Sequence, residues 1–226
     1  MVLDDRGIEG RFMKKVILVL NLVSLMGCGS ATTGSLTSSS SSSGGSSTVS
    51  FTNKANSSTL LINNGAVGAN DLANGLAYIG DNNAQPARWV ISIPLTGLSG
   101  KTLQTGYLNI YYDSEGPQSE VANLGAVKAF RIPQHVIPDA TDWGAVESNS
   151  VTVFANDAAH AVANKAKIQI DMKAAIQAAI NAGDTHVTFK LRFNTDLGAG
   201  NNVIQFYCNY SSGVLAAYIP AIEGTY

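Results

Sequence analysis

The clearest pattern in this sequence is a strict alternation of apolar and polar side chains over His186–Phe193, HVTFKLRF. The four apolar residues fall on one side of an extended chain and the three polar ones on the other: Val187, Phe189, Leu191 and Phe193 against Thr188, Lys190 and Arg192. Successive side chains of a strand point to opposite faces, so the pattern predicts a strand with one face in a core and the other toward solvent.

Similar apolar runs recur along the chain at Arg88–Leu95, Leu103–Tyr112, Ser150–Ala155, Lys167–Met172 and Asn202–Tyr210. Pro94 indicates an edge strand or the end of a strand. Leu103 shares a face with Leu108 only if a small bulge lies near Gly106. Clusters of Gly, Asn, Asp and Ser separate the runs and supply turns. The sequence therefore predicts an all-β fold, a jelly-roll-like antiparallel β-sandwich.

A single segment departs from the strand pattern, DMKAAIQAAINAG at about 171–183. Its apolar residues recur at helical spacing, and alanine is the best helix former. We expect Asp171 to cap the start of this helix and Gly183 to end it.

The N-terminal segment is typical of an exported protein. Lys14 and Lys15 precede the apolar run Val16–Met26, which has the length of a signal-peptide core and is too short for a stable membrane span. The four residues that end at Cys28, Leu-Met-Gly-Cys, resemble the lipobox of bacterial lipoproteins, in which the chain is cleaved before the cysteine and the sulfur is lipidated. Residues 1–27 are thus predicted to be a signal peptide, with Met13 as an alternative start.

The mature chain is predicted to have two parts. Residues 28–50 comprise the lipidated Cys28 and a Ser/Gly-rich linker that cannot bury a core. Residues 51–226 form the β-sandwich domain, in which Cys208 is a small core side chain. The alternative for Cys28 is a buried position at the end of a core helix. The predicted location is the bacterial cell envelope, with the domain anchored by lipid to the outer membrane or cell surface.

Composition and motifs narrow the possible functions. Charged residues make up 13% and the formal net charge is -2, so the chain lacks the basic footprint of a nucleic-acid-binding protein. The three histidines, His135, His160 and His186, are scattered and have no metal-ligand spacing. No Gly-x-Ser-x-Gly motif or phosphate loop is present. We therefore expect a protein without catalytic activity and without an obligatory cofactor.

The order of the segments resembles the DNRLRE, or disaggregatase-related, domains of microbial surface proteins. These are β-sandwich modules related to carbohydrate-binding modules found beside alginate lyases. The resemblance lies in five stretches: Ala77–Asn83, Ala87–Tyr112, Ile168–Gly183, His186–Phe193 and Pro220–Tyr226. In the last stretch, Gly224 stands where the family has a β-branched residue. The resemblance implies a sandwich fold and a role in binding carbohydrate.

Residues suited to a sugar-binding face lie along the strand that follows Gly106. Sugar recognition needs aromatic platforms and a few amide or carboxylate partners. The candidates are Tyr107, Asn109, Tyr111, Asp113 and Trp143. The alternative is structural: the tyrosines cover a second sheet and Trp143 closes one end of the sandwich.

A calcium site is a further possibility, because Asp81, Asn82 and Asn83 carry hard oxygen ligands. A plain turn is the alternative for these residues.

Three functional hypotheses follow. The first is a lipid-anchored module that binds polysaccharide, and the second is a structural or adhesive surface protein that contacts protein partners or its own copies. The third is a small polysaccharide-active enzyme, for which Asp113, Glu115 and Glu120 are candidate carboxylates, since hydrolysis needs two facing carboxyl groups.

Overall fold

The computed structural model describes residues 48–55, 59–67, 75–82, 85–115, 124–155, 162–196, 202–208 and 217–226. All of them belong to one compact unit, Ser46–Tyr226. The predicted signal peptide, Cys28 and most of the predicted linker lie outside the described residues. No helix within the described ranges is long and apolar enough to cross a membrane.

The described part of the chain forms twelve antiparallel strands and one α-helix, which confirms the predicted all-β class. The strands are β1 (Ser50–Lys54), β2 (Thr59–Asn63), β3 (Ala66–Val67), β4 (Leu76–Asn82), β5 (Gln85–Pro94), β6 (Thr105–Glu115), β7 (Val127–Ile132), β8 (Ser148–Phe154), β9 (Lys167–Asp171), β10 (His186–Phe193), β11 (Asn202–Tyr207) and β12 (Ala221–Thr225). The helix α1 is Lys173–Ala182 and connects β9 to β10.

The strands pack as two layers of one curled sheet. The first layer has the order β3-β2-β5-β10-β7-β8. In the second layer, β6 pairs with β9 along one edge and with β12 and then β11 along the other, while β1 extends β12 and β4 extends β11. The hairpin between β4 and β5 joins the layers, so the hydrogen-bonded ladder is continuous.

The core lies between the two layers and is apolar. Phe189 and Leu191 from the first layer are buried there with Leu108 from the second. The rings of Trp89 and Phe206 stack across the layers with centroids 5.5 Å apart. The inward face predicted for β10 is confirmed, since each of its four apolar residues belongs to this core.

Strand β5 is an interior strand. It pairs with β10 along one edge and with β2 along the other. Val90 and Ser92, on its outer side, are as fully buried as the residues that face the core. Of the two interpretations of Pro94, the strand end is confirmed, because Pro94 is the last residue of β5.

Helix α1 packs one face against the sandwich, with Ile176 and Ile180 buried. Gly183 ends it in the left-handed conformation at φ 76°, as predicted. Met172 occupies the N-cap position, and its side chain makes no capping hydrogen bond. The Asp171 carboxylate accepts a hydrogen bond at 3.1 Å from the amide of Lys173, the first residue of α1, so Asp171 caps the start of the helix as expected.

The bulge expected near Gly106 is not there, because β6 pairs with β12 in unbroken register from Thr105 to Asn109. Glycine at 106 serves a different purpose: a Cβ there would lie 3.0 Å from the Cα of Lys173, so a larger residue would push α1 away from β6. The bulge in β6 lies at Asp113 instead, where β11 pairs Phe206 with Tyr112 and Gln205 with Ser114.

The first and last described strands are neighbours at one edge of the second layer. β1 pairs with β12 over its whole length. Beyond that pairing, Val49 and Tyr226 exchange two backbone hydrogen bonds, of 2.9 and 3.0 Å.

Candidate functional site

The outer surface of the second layer brings together most of the predicted ligand-binding residues. Leu108 and Ile110 of β6 point into the core, so Tyr107, Asn109 and Tyr111 project from the opposite side. Asp113 follows at the bulge. We call the outer surface formed by β9, β6, β12 and β1, together with the adjoining Tyr207 and Tyr218, the β6 face.

The register of the neighbouring strands sets the other side chains of the β6 face in rows. Tyr107 lies between Asp171 of β9 and Glu223 of β12. The next rows place Asn109 between Gln169 and Ala221, and Tyr111 between Lys167 and Tyr207. The sequence pattern does not identify these flanking residues, because their positions depend on which distant strands pair with β6.

Three tyrosines, Tyr111, Tyr207 and Tyr218, form a cluster at the end of the β6 face nearest Asp113. The ring of Tyr218 meets Tyr111 edge to face at 5.4 Å between centroids, and Tyr207 at 5.1 Å. Burial raises the pKa of the Tyr207 phenol, and the hydrogen bond with Asp113 adds to this effect. The hydroxyl of Tyr207 therefore stays protonated at neutral pH and can donate.

A polar network occupies the middle of the β6 face. The Nζ of Lys167 lies 2.6 Å from Oε1 of Glu223, and Nε2 of Gln169 donates to the same oxygen at 2.8 Å. The hydrogen bond from Lys167 is the main cause that lowers the pKa of Glu223, and a hydrogen bond from Asn109 adds to it. Glu223 is therefore ionised at neutral pH and its negative charge is matched by Lys167.

Asn109 is the least exposed polar residue of the β6 face, at 2%. Its amide group bonds Glu223, while its Oδ1 is buried and has no hydrogen-bond partner within the described ranges. A buried acceptor without a donor is costly, by about 1–3 kcal/mol, and native structures seldom leave one without a reason.

An open groove of about 260 Å³ runs beside this network, between β1, β6, β9 and β12. Its walls include Thr52, Tyr107, Gln169 and Glu223. The groove thus offers one aromatic ring together with hydroxyl, amide and carboxylate groups.

Asp113 is held by neighbouring side chains. Asn164 donates to its Oδ1 at 2.9 Å and Ser114 donates to its Oδ2 at 2.9 Å. The side chain of Glu115 and the whole of Glu120 lie outside the described residues. A second carboxyl group facing Asp113, which hydrolysis would need, stays a prediction.

Trp143 lies on the opposite side of the sandwich from the β6 face. Its ring packs on the outer surface of the first layer against Val90 and Ile132, and the Arg88 guanidinium lies 3.7 Å from the ring centroid. The structure therefore does not bring Trp143 together with the other candidate residues. The alternative position, at an end of the sandwich, is not observed either.

Trp143 belongs to a segment, Pro133–Glu147, that covers the outer side of β10. Lys190 is only 1% exposed beneath it. Its Nζ donates to the backbone oxygens of Trp143 at 3.0 Å and Ala145 at 3.1 Å, and lies 3.0 Å from Glu147 Oε1. Thr188 and Lys190 do lie on the side of β10 opposite the core, as predicted. The expected exposure of these two residues to solvent is wrong, because the segment covers them.

His135, Asp139 and Asp142 of the same segment place ligand-type atoms within 4.8 Å of one another, a set that a divalent cation accepts. Local structure already uses these groups. Asp139 caps the turn Ala140–Gly144 by accepting from the Thr141 amide, Asp142 accepts from the Asp139 amide, and His135 Nδ1 lies 3.0 Å from Asp142. Capping accounts for this cluster without an ion.

The predicted calcium ligands are described only in part. Asp81 is fully buried near the end of β4, and Asn82 is the last residue of that strand. Asn83 lies outside the described residues. Calcium at this hairpin stays a prediction.

A comparison with models of protein families found no family that matches this chain, and a comparison with curated proteins found no matching relative. The resemblance to DNRLRE domains therefore stays a prediction, and the properties of the β6 face come from its own side chains.

Proposed function

We propose that this protein is a non-catalytic module that binds polysaccharide, held at the bacterial cell envelope by lipid on Cys28. The observation that carries the binding function is the row Tyr107, Asn109, Tyr111 and Asp113 on one outer surface, beside the groove. Aromatic rings cover the apolar side of a sugar, while amides and carboxylates bond its hydroxyl groups.

The hydrogen-bonding groups of the β6 face suit sugar hydroxyls in particular, because a hydroxyl both donates and accepts. Gln169 and Tyr107 line the adjacent groove and offer amide and hydroxyl groups to a ligand. A hydroxyl-rich ligand supplies donors and acceptors along its whole length.

The anchor rests on the lipobox-like sequence that ends at Cys28. Each buried CH₂ of an acyl chain contributes about 0.8 kcal/mol, so several chains hold a domain on a membrane. The Ser/Gly-rich linker of about twenty residues has a root-mean-square span of roughly 25 Å, which separates the sandwich from the lipid surface.

The binding function is tested by comparing two aromatic substitutions on opposite sides of the sandwich. Tyr111→Ala removes a ring from the β6 face, and retention on a glycan array should fall by about tenfold, which corresponds to about 1.4 kcal/mol. Trp143→Ala is the matched control, since its ring lies against Arg88 and away from that face. Equal losses in the two variants, or no retention of the unmodified protein, contradict the proposal.

The anchor is tested by Cys28→Ser. We expect this variant to appear in the soluble fraction after cell lysis, whereas the unmodified protein stays with the membranes. Unchanged membrane fractionation of Cys28→Ser contradicts lipidation at this residue.

A surface protein that contacts protein partners or its own copies is the second candidate. Ile137 and Val146 of the segment Pro133–Glu147 are 75% and 77% exposed, and such side chains favour protein contacts where they form one contiguous apolar patch. Sedimentation that shows concentration-dependent assembly, abolished by Ile137→Ser, would support this candidate over the first.

A further inference from the structure

We propose that the polysaccharide recognised by the β6 face is uncharged. This inference rests on the proposed binding function and adds the class of ligand. The supporting observation is the balance of charges on and beside the face. Its described side chains comprise three cations, Lys54, Lys165 and Lys167, and three carboxylates, Asp113, Asp171 and Glu223.

The most central cation of the face is not available to an anionic ligand. Lys167 lies beside Tyr111, and its Nζ is 2.6 Å from Glu223 Oε1. Glu223 stays ionised at neutral pH, so a ligand carboxylate would have to compete with a carboxylate already in place. Such competition gives little net gain in binding free energy.

The carboxylates of the face lie where a polyanion would be repelled. Asp113 borders the tyrosine cluster, since Asn164 bonds both its Oδ1 at 2.9 Å and the hydroxyl of Tyr207 at 3.4 Å. Asp171 lies beside Tyr107 in the pairing of β6 with β9, and it is exposed. An acidic sugar stacked on the tyrosine cluster would bring its charge close to Asp113, and one stacked on Tyr107 would bring it close to Asp171. In both positions the two negative charges would repel each other.

The cations other than Lys167 lie at the margins of the face. Lys54 is the last residue of β1, and the Nζ of Lys165 is 5.8 Å from the ring centroid of Tyr218. The groups that remain in the groove are neutral, namely the amide of Gln169 and the hydroxyls of Tyr107 and Thr52. Neutral donors and acceptors match hydroxyl groups and not carboxylates.

Arginine, the side chain best suited to bind a carboxylate through two parallel hydrogen bonds, is absent from the described part of the β6 face. The arginines within the described ranges are Arg88, Arg131 and Arg192, and they lie on β5, β7 and β10 of the first layer. Each forms an ion pair with a residue of this chain: Asp196, Asp184 and Glu147 respectively.

The inference is tested by the binding of purified full-length protein to immobilised polysaccharides of both classes. The neutral set is β-glucan, mannan, galactan and xylan, and the anionic set is alginate and polygalacturonate. We expect binding to at least one neutral polymer, unchanged when NaCl is raised from about 0.05 M to about 0.5 M, because contacts without net charge are not screened.

The outcomes separate this inference from the function on which it rests. Binding only to alginate or polygalacturonate, weakened by salt, overturns the uncharged class and leaves polysaccharide binding in place. Binding to none of the polymers overturns both.

A pair of substitutions tests the charge balance itself. Glu223→Gln leaves Lys167 without its carboxylate and should raise binding to alginate at low salt by about two- to fivefold. Lys167→Gln breaks the same ion pair with the opposite change of charge, so it should give no gain. Equal gains in the two variants, or tight alginate binding by the unmodified protein, contradict the proposal.

Discussion

Lys190 holds a positive charge beneath the segment Pro133–Glu147, away from solvent. Burial lowers the pKa of Lys190, and the hydrogen bond with Glu147 opposes that shift. Its Nζ also donates to the backbone oxygens of Asp142, Trp143 and Ala145. Lys190 therefore helps to attach the segment to β10, together with the hydrogen bonds of Thr188 with the His135 backbone and of Arg192 with Glu147.

Replacing Lys190 should loosen this segment and destabilise the fold. Lys190→Met keeps the length of the side chain but removes three hydrogen bonds to the segment and the ion pair with Glu147, so we expect a loss of about 3 kcal/mol in the free energy of unfolding. Urea denaturation measures it. Lys173→Met, at an exposed position of α1, is the control and should change stability by less than about 0.5 kcal/mol. Similar values for the two variants would count against the attachment.

At the scale of elements, the close pairing of β6 with β12 depends on the absence of a side chain at Gly224. A Cβ there would overlap the carbonyl oxygen of Thr105 and lie 3.0 Å from the Cα of Gly106. This close approach is the physical reason for glycine at position 224.

Gly224→Ala should therefore separate β12 from β6 locally. We expect a loss of about 1–3 kcal/mol in the free energy of unfolding, typical of overpacking. Gly144→Ala is the matched control, because a Cβ there meets nothing within 4 Å and the position lies outside the sheet. Thermal denaturation of both variants measures the difference in stability. A Gly224→Ala variant as stable as Gly144→Ala would show that the two strands can move apart freely.

The elements that depend on local pattern were predicted well, and those that depend on distant pairing were not. Alternation identified β10 and its inward face, and helical spacing placed α1 within two residues at its start and one at its end. The bulge at Asp113 and the burial of β5 on both sides depend on which strands lie beside β6 and β5. Sequence periodicity does not contain that information.

The same limit applies to the candidate site. Alternation along one strand was enough to group Tyr107, Asn109 and Tyr111. The partners Gln169 and Glu223 lie on β9 and β12, far away along the chain, and enter only through strand register. Trp143 could not be assigned to a side of the sandwich, because its segment has no periodic pattern.

At the scale of the whole molecule, the core excludes solvent from Cys208, which is 0% exposed and lies among residues of both layers. A thiol reagent should therefore label Cys208 only when the sandwich opens. In a Cys28→Ser background, we expect no labelling in native buffer within the time that suffices for complete labelling in denaturant. Fast native labelling would show that β11 detaches without global unfolding.

The paired backbone of Val49 and Tyr226 has a practical consequence for engineering. The two junctions of the domain are adjacent: a segment joined before Thr48 and a segment fused after Tyr226 would attach at neighbouring points on the same edge of the sheet. Domains built in this way accept insertion into a loop of a host protein, because the two junctions need not be pulled apart. In a tandem array of this domain, by contrast, the chain would have to reverse direction at every junction, so each pair of neighbouring copies would need a spacer between them.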